Sequence, residues 1–138
     1  NDLANKESFH DGWFRTGDLG TFDSEGFLFI SGRIKEIINK GGEKISPKEI
    51  DEALMKHPSI FQAVCFSIPH EKLGEDIGAA IVLKEDESVS KEELQLHLRN
   101  IISTFKIPKT ILFLNEIPKG NTGKIQRIGL AKKLGIEK

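Results

Sequence analysis

Two helix starts of one kind divide this chain, and the short apolar runs around them fix what it can fold into. Ser46-Pro47-Lys48-Glu49 sets a capping hydroxyl before a proline at the first helical position. Its glutamate, three residues after the serine, can bond back to the cap. Ser90-Lys91-Glu92-Glu93 repeats the pattern without the proline. The first helix is predicted to run to about Lys56, with Ile50, Ala53 and Leu54 inward, and to stop at His57-Pro58. The second carries Leu94, Leu98, Ile101 and Ile102 at helical spacing.

Between and around these helices lie β-prone runs. Thr21 to Ile30 reads as a hairpin turning through Asp23 to Gly26. Gly32 to Ile38 is a short strand ended by Gly41-Gly42. Phe61 to Ile68, closed by Pro69, Ile77 to Lys84, and Thr110 to Leu114 follow as strands, and a short helix from about Gln126 to Leu134 ends the order. This order predicts an α+β fold. It is a two-layer domain with a small mixed or antiparallel sheet and helices on one face, preceded by a β-hairpin.

The size of 138 residues suits one domain with a small appendage. With 38% hydrophobic and 30% charged residues, the composition is that of an ordinary soluble protein. No apolar run approaches the roughly 20 residues that span a bilayer, and the opening Asn1-Asp2-Leu3 resembles no signal peptide. An opening without Met suggests a piece of something longer. The lone Cys65, within Ala63-Val64-Cys65-Phe66, excludes an internal disulfide and a cysteine-rich metal site and reads as a buried thiol. No metal ligands are assigned. Charge is uneven: from Ile101 onward eight basic residues face only Glu116 and Glu137. Such a tail can attract phosphates, but charge alone favours the reading of a solvated surface.

Four segments hold residue types suited to chemistry. In Gly12-Trp13-Phe14-Arg15-Thr16-Gly17-Asp18, the Asp18 carboxylate could accept from two vicinal hydroxyls, or from turn amides. In Gly32-Arg33-Ile34-Lys35, the Arg33 fork could reach a ribose or phosphate, or form a surface ion pair. Gly41-Gly42-Glu43-Lys44-Ile45-Ser46-Pro47 exposes backbone beside a cation. Pro118-Lys119-Gly120-Asn121-Thr122-Gly123-Lys124 ends a glycine-punctuated loop on a lysine. It lacks the spacing of a Walker loop, and Ile125 follows the lysine.

Taken together, in this order and spacing, the four segments resemble the C-terminal hallmarks of the adenylate-forming superfamily. The resemblance covers nearly the whole chain, from about Asn1 to Leu134. Gly32 to Ile38 with Gly41 to Pro47 and Glu49-Ile50 looks more like 4-coumarate, oxalate or fatty-acid CoA ligases than peptide-synthetase adenylation domains. Those usually carry an aspartate where Lys35 stands.

The resemblance implies the mobile C-terminal lid domain of an AMP-forming acyl-CoA ligase, which joins a carboxylate to CoA at the expense of ATP. It implies that Asp18 and Arg33 bind the nucleotide and that Lys35 is the hinge. Lys124 would be the catalytic lysine of adenylation, bridging carboxylate and α-phosphate oxygens. After rotation, the loop of Lys40, Gly41, Gly42, Glu43 and Lys44 would line the pantetheine tunnel. Several relatives of this kind have a lysine four residues after the hinge; Asn39 stands there, and Lys40 or Lys44 are the candidates to replace its charge.

By the same resemblance, residues 1–34 would be the tail of a large N-terminal adenylating domain and residues 35–138 the lid proper. ATP with Mg and CoA would be substrates of the whole enzyme, none held tightly by this piece, which alone would be inactive. Expected partners are the N-terminal domain, ATP or AMP, CoA and a carboxylic acid, without nucleic acid or a membrane span, in the cytoplasm. The competing readings are a stand-alone nucleotide-binding regulatory module, a peptide-synthetase fragment, and a nucleic-acid binder on the basic tail. The last is disfavoured because Phe105 and Phe113 sit in apolar runs rather than among basic residues.

Overall fold

The computed structural model of the chain describes residues 2–136. Lys138 of the basic tail lies outside the described residues. A short helix α1, Asp2–Ser8, leads into a minimal hairpin of β1, Phe9–His10, and β2, Trp13–Phe14. A second hairpin pairs β3, Asp18–Phe22, antiparallel with β4, Leu28–Arg33, and is irregular between Leu19 and Gly20. A single 3₁₀ turn, Ile34–Glu36, then joins these elements to a larger body.

That body is built on a five-stranded sheet. Its strands are β5 (Ile38–Lys40), β6 (Glu43–Ile45), β7 (Ile60–His70), β8 (Gly74–Leu83) and β9 (Thr110–Phe113). All neighbours are antiparallel except β8 and β9, which run parallel. The parallel pair requires a crossover, and α3 (Lys91–Arg99) supplies it. One edge of β8 is taken by β7. The other is shared by β5, which pairs at Gly74, and β9, which pairs from Gly78 to Ile81.

Strand alternation divides the interior into two clusters. Cys65, Ile77, Ala79 and Ile81 point to one side, where α2 (Pro47–Met55) and α3 cover them with Ile50, Leu54, Leu94 and Leu98. Val64, Phe66, Ala80 and Val82 point to the other, under Ile117, Leu130 and Ala131 of the C-terminal segment. Each fully buried Ile, Leu or Phe stabilises this body by about 1.5–3 kcal/mol. The short α4, Leu130–Lys133, belongs to this second side, so the two longer helices share one face and the chain's end occupies the other.

The fold class is the α+β arrangement expected, with local departures. The second capping box forms as predicted: Ser90 Oγ accepts from the Glu93 amide at 3.1 Å, and the Ser90 amide donates to Glu93 Oε2 at 2.7 Å. The first does not. Ser46 Oγ donates instead to the Ser31 carbonyl at 2.8 Å, and Glu49 is taken by Lys106 at 2.9 Å. The run predicted as one strand from Gly32 to Ile38 is split by the 3₁₀ turn. Pro69 does not end β7, because β7 is a sheet edge where a missing N–H costs no ladder bond. The helix expected from Gln126 begins only at Leu130, since Gly129 sits at φ +77°. Helix α1 and the β1–β2 hairpin were not expected from the sequence.

Candidate functional site

The four sequence segments occupy three stations and the β5–β6 hairpin. At the first, register pairing sets Asp18 directly opposite Arg33, and Arg33 Nε lies 3.4 Å from Asp18 Oδ1. The Asp18 amide donates to Thr16 Oγ1 at 3.2 Å, and the Ile34 amide to the Gly17 carbonyl at 2.9 Å. Thr16, Asp18, Ile34 and Lys35 line one side of an open cavity of about 750 Å³. The carboxylate keeps Oδ2 unbonded among the described residues, and Arg33 is 70% exposed in its side chain. A hydroxyl-bearing ligand in the cavity can therefore be met by Asp18, with the exposed Arg33 paired to that carboxylate just outside the lining.

The second station is the connection itself. Lys35 is exposed within the 3₁₀ turn, and its neighbour Glu36 is fixed by Arg127, Nε to Oε2 at 3.2 Å. Arg127 also donates from Nη1 to Asp51 Oδ2 at 2.8 Å and to the Cys65 carbonyl at 2.6 Å. Burial works against the Arg127 charge, but Asp51 and Glu36 outweigh it and hold the guanidinium firmly protonated. Burial also pushes the Asp51 carboxyl up, against the opposing pull of Arg127 and the Cys65 amide. The network joins the connection, α2 and β7 to the segment just beyond Lys124. Sequence reasoning missed it. The available signal was an arginine among Ile125, Ile128 and Leu130, a setting that demands buried anions.

Lys40 to Lys44 form not an open loop but the β5–β6 hairpin. Gly41 and Gly42 turn at φ +58° and +89°, a conformation L side chains rarely adopt. Gly42 has open space where a Cβ would stand, and Glu43 and Lys44 are exposed. Lys40, the first residue of the expected loop, is buried. Its side chain is 3% exposed, with Nζ 2.8 Å from Asp76 Oδ1 and 2.9 Å from the Phe105 carbonyl. Its ammonium is thus engaged within this body, whereas Lys44 is exposed.

The third station holds Lys124. Lys119 and Ile125 form an antiparallel bridge, the Gly120 amide donates to the Lys124 carbonyl at 2.8 Å, and Gly123 sits at φ +75°. The backbone is thus a closed turn, while the Lys124 side chain is exposed and makes no ion pair among the described residues. Ile117 and Ile125 seat this turn on the side of the sheet opposite α2 and α3, whereas Ile38 and Ile45 root the β5–β6 hairpin beneath those helices. No hydrogen bond or ion pair among the described residues links Lys124 to Asp18, Arg33 or residues 40–44. The Lys124 ammonium is thus presented to solvent.

The pattern of the AMP-binding enzyme C-terminal domain matches residues 49–124. Over 134 residues the chain is 50% identical to an oxalate–CoA ligase of Saccharomyces cerevisiae, covering 96% of this chain and 25% of that protein. Among solved structures, it is similar to o-succinylbenzoate CoA synthetase of Bacillus subtilis in complex with an acyl-adenylate intermediate. There the TM-score is 0.85 at 35% identity, over 92% of this chain and 26% of that one. It also matches MatB of Rhodopseudomonas palustris, with TM-score 0.86 for the ATP-bound form at 29% identity and 0.75 for the apo form at 30%. Both MatB matches cover 96% of this chain and 26% of that protein. The chain spans about a quarter of the length of the curated relatives it matches.

Proposed function

The chain belongs to the family of AMP-binding enzyme C-terminal domains, and from that premise we propose that it is the moving lid of an acyl-CoA ligase. The whole enzyme would join a carboxylic acid to CoA, with ATP and Mg as further substrates and AMP and pyrophosphate as products. The observation that carries this reading is the placement of two loops. The Lys124 turn is seated on one side of the sheet, while the Gly41-Gly42 turn joins two strands of the sheet whose Ile38 and Ile45 face the other side. A rigid body with two such loops can serve two successive steps by turning over.

In the first step Lys124 would enter a neighbouring lobe and place its ammonium where charge builds on the α-phosphate as pyrophosphate leaves. Asp18 and Arg33 would hold the ribose there. In the second step, turning at Lys35 would withdraw Lys124 and bring the turn of residues 41–44 to the CoA thiol. The exposed 3₁₀ turn suits a pivot.

Residues up to about Ile34 would be the end of the large adenylating domain. The β3–β4 hairpin exposes apolar side chains on successive positions, among them Phe27 just before β4 and Leu28, Phe29 and Ile30 within it, at 63%, 55%, 57% and 47%. A hairpin apolar on both faces needs cover on both. That exposure also speaks against a stand-alone regulatory module. The isolated chain would make no acyl-CoA and hold ATP weakly. No helix of the described residues is long and apolar enough to cross a membrane; we place the enzyme in the cytoplasm, where ATP and CoA are found.

The test is Lys124→Ala in the full-length ligase, with the half-reactions assayed apart. Adenylation should fall by about 10²–10³-fold, while supplied acyl-adenylate should still be converted to acyl-CoA. Equal loss of both steps would refute the two-loop assignment.

A further inference from the structure

Lys40 is an unusual residue to bury, and its surroundings explain why it is there. β8 is paired by β5 at Gly74 and by β9 only from Gly78, so the stretch between them has no strand on that edge. Lys40 closes this gap with its side chain. Its ammonium bonds Asp76, within the gap, and the carbonyl of Phe105, in the 3₁₀ turn Thr104–Lys106 that precedes β9. The Phe105 ring covers it, with Nζ 4.7 Å from the ring centroid. No buried side-chain nitrogen or oxygen among the described residues lacks a partner, so the charge is fully accommodated.

The next residue is the first of the glycine turn. The Gly41 amide donates to the Leu73 carbonyl at 2.8 Å, and a Cβ there would lie 3.2 Å from Leu73 and 3.7 Å from Phe105. On the other side, the Asn39 amide donates to Glu75 Oε2 at 2.6 Å. Among the described residues the hairpin's outer strand, β6, pairs only with β5, so the direction of the turn rests on the contacts of Asn39 and Gly41 with Glu75 and Leu73 and on the Lys40 clamp between them.

We propose that Lys40 is a positioning residue for the thioester-forming step. Its ammonium, clamped between Asp76 and Phe105, sets the direction of the Gly41-Gly42 turn and so the seat of the CoA thiol. This rests on the reading that residues 41–44 line the CoA path. Lys40 itself does not touch CoA. It acts through the backbone that follows it, and adenylation, which uses the opposite side of the sheet, does not depend on it.

The experiment is Lys40→Met and Asp76→Asn in the full-length ligase, with Gly42→Leu as the reference. Adenylation is followed by pyrophosphate exchange, and thioester formation from supplied acyl-adenylate at varied CoA. Displacing the turn by about an ångström should raise the KM for CoA by about ten- to a hundredfold in Lys40→Met, leaving pyrophosphate exchange near wild type. Asp76→Asn, which keeps the volume and one acceptor, should give a smaller rise of the same kind. A merely structural role would lower the folded fraction and so both half-reactions together, without moving the KM for CoA; that result overturns the proposal. So does an unchanged KM in both variants while Gly42→Leu blocks thioester formation, in which case the CoA-path reading stands without Lys40. If Gly42→Leu leaves thioester formation intact, the CoA-path reading and the proposal fall together.

Discussion

Arg127 donates from Nε to Glu36 Oε2 at 3.2 Å, across 91 residues of sequence, and so locks the residue after Lys35 to the segment that follows Lys124. With Nη1 on Asp51 and the Cys65 carbonyl, the same side chain makes the connection, α2, β7 and the C-terminal segment one body. A lid that turns as a unit needs such a joint immediately past its pivot. Otherwise the turn would be absorbed by local bending.

Arg127→Met should be strongly destabilising, by about 3–5 kcal/mol, because it strands the Asp51 carboxylate away from water. Arg127→Lys keeps the charge but cannot bond three acceptors from one planar fork, so it should lose about 1.5–3 kcal/mol. Urea unfolding of the three proteins checks both the size and the order. Equal stability of wild type and Arg127→Met would show that the network contributes nothing.

Asp76 and Asp51 should give opposite pH signatures. For Asp76, burial raises the carboxyl pKa, but bonds from Lys40 and the Ile77 amide, with the charges of Lys40 and Lys109, outweigh it and leave the net shift downward. The unfolded chain then takes up the proton first on acidification. This contribution is present above the ordinary carboxylate value of about 4 and is lost as pH falls through the lower folded value. For Asp51 the net shift is upward. Its contribution is complete below the ordinary value and is lost as pH rises through the raised folded one. The Tm difference between wild type and Asp76→Asn should therefore widen from about pH 3 to pH 6, and that for Asp51→Asn should narrow. Parallel curves for the two variants would contradict these signs.

The helices and central strands were legible because they are local: apolar spacing placed Ile50, Leu54, Leu94 and Leu98 inward, and all four are fully buried. What escaped was set by partners distant in sequence. Lys40 reads as a solvated loop lysine until Asp76 and Phe105 are brought to it. Arg127 reads as part of a basic tail until Asp51 and Glu36 arrive. Ser46 and Ser90 carry one motif, but Ser46 lies beside the β4 backbone and bonds there instead.

That contrast is measurable. Ser90→Ala should cost about 1 kcal/mol and speed hydrogen exchange in the first turn of α3, whose capping box it opens. Ser46→Ala removes a bond to the Ser31 carbonyl rather than a cap, so it should leave the first turn of α2 protected and cost about 0.5–1.5 kcal/mol. Loss of protection in the first turn of α2 would mean that Ser46 caps after all.

The last prediction concerns the chain before Lys35. Neither apolar cluster contains a residue earlier than Ile38. Trp13 and Phe22 are 80% and 71% exposed, and the β3–β4 hairpin touches the larger body through Ser31–Ser46 and the bond from Lys48 Nζ to the Ile30 carbonyl at 2.9 Å. Exposed polar bonds of this sort add little stability. A chain starting at Lys35 should therefore unfold cooperatively, with a Tm within a few degrees of the 138-residue chain. It should also bind much less of the apolar dye ANS, because the exposed aromatic side chains are gone. A truncated chain that failed to fold, or bound as much dye, would show that the hairpin is part of this body's core rather than the tail of another.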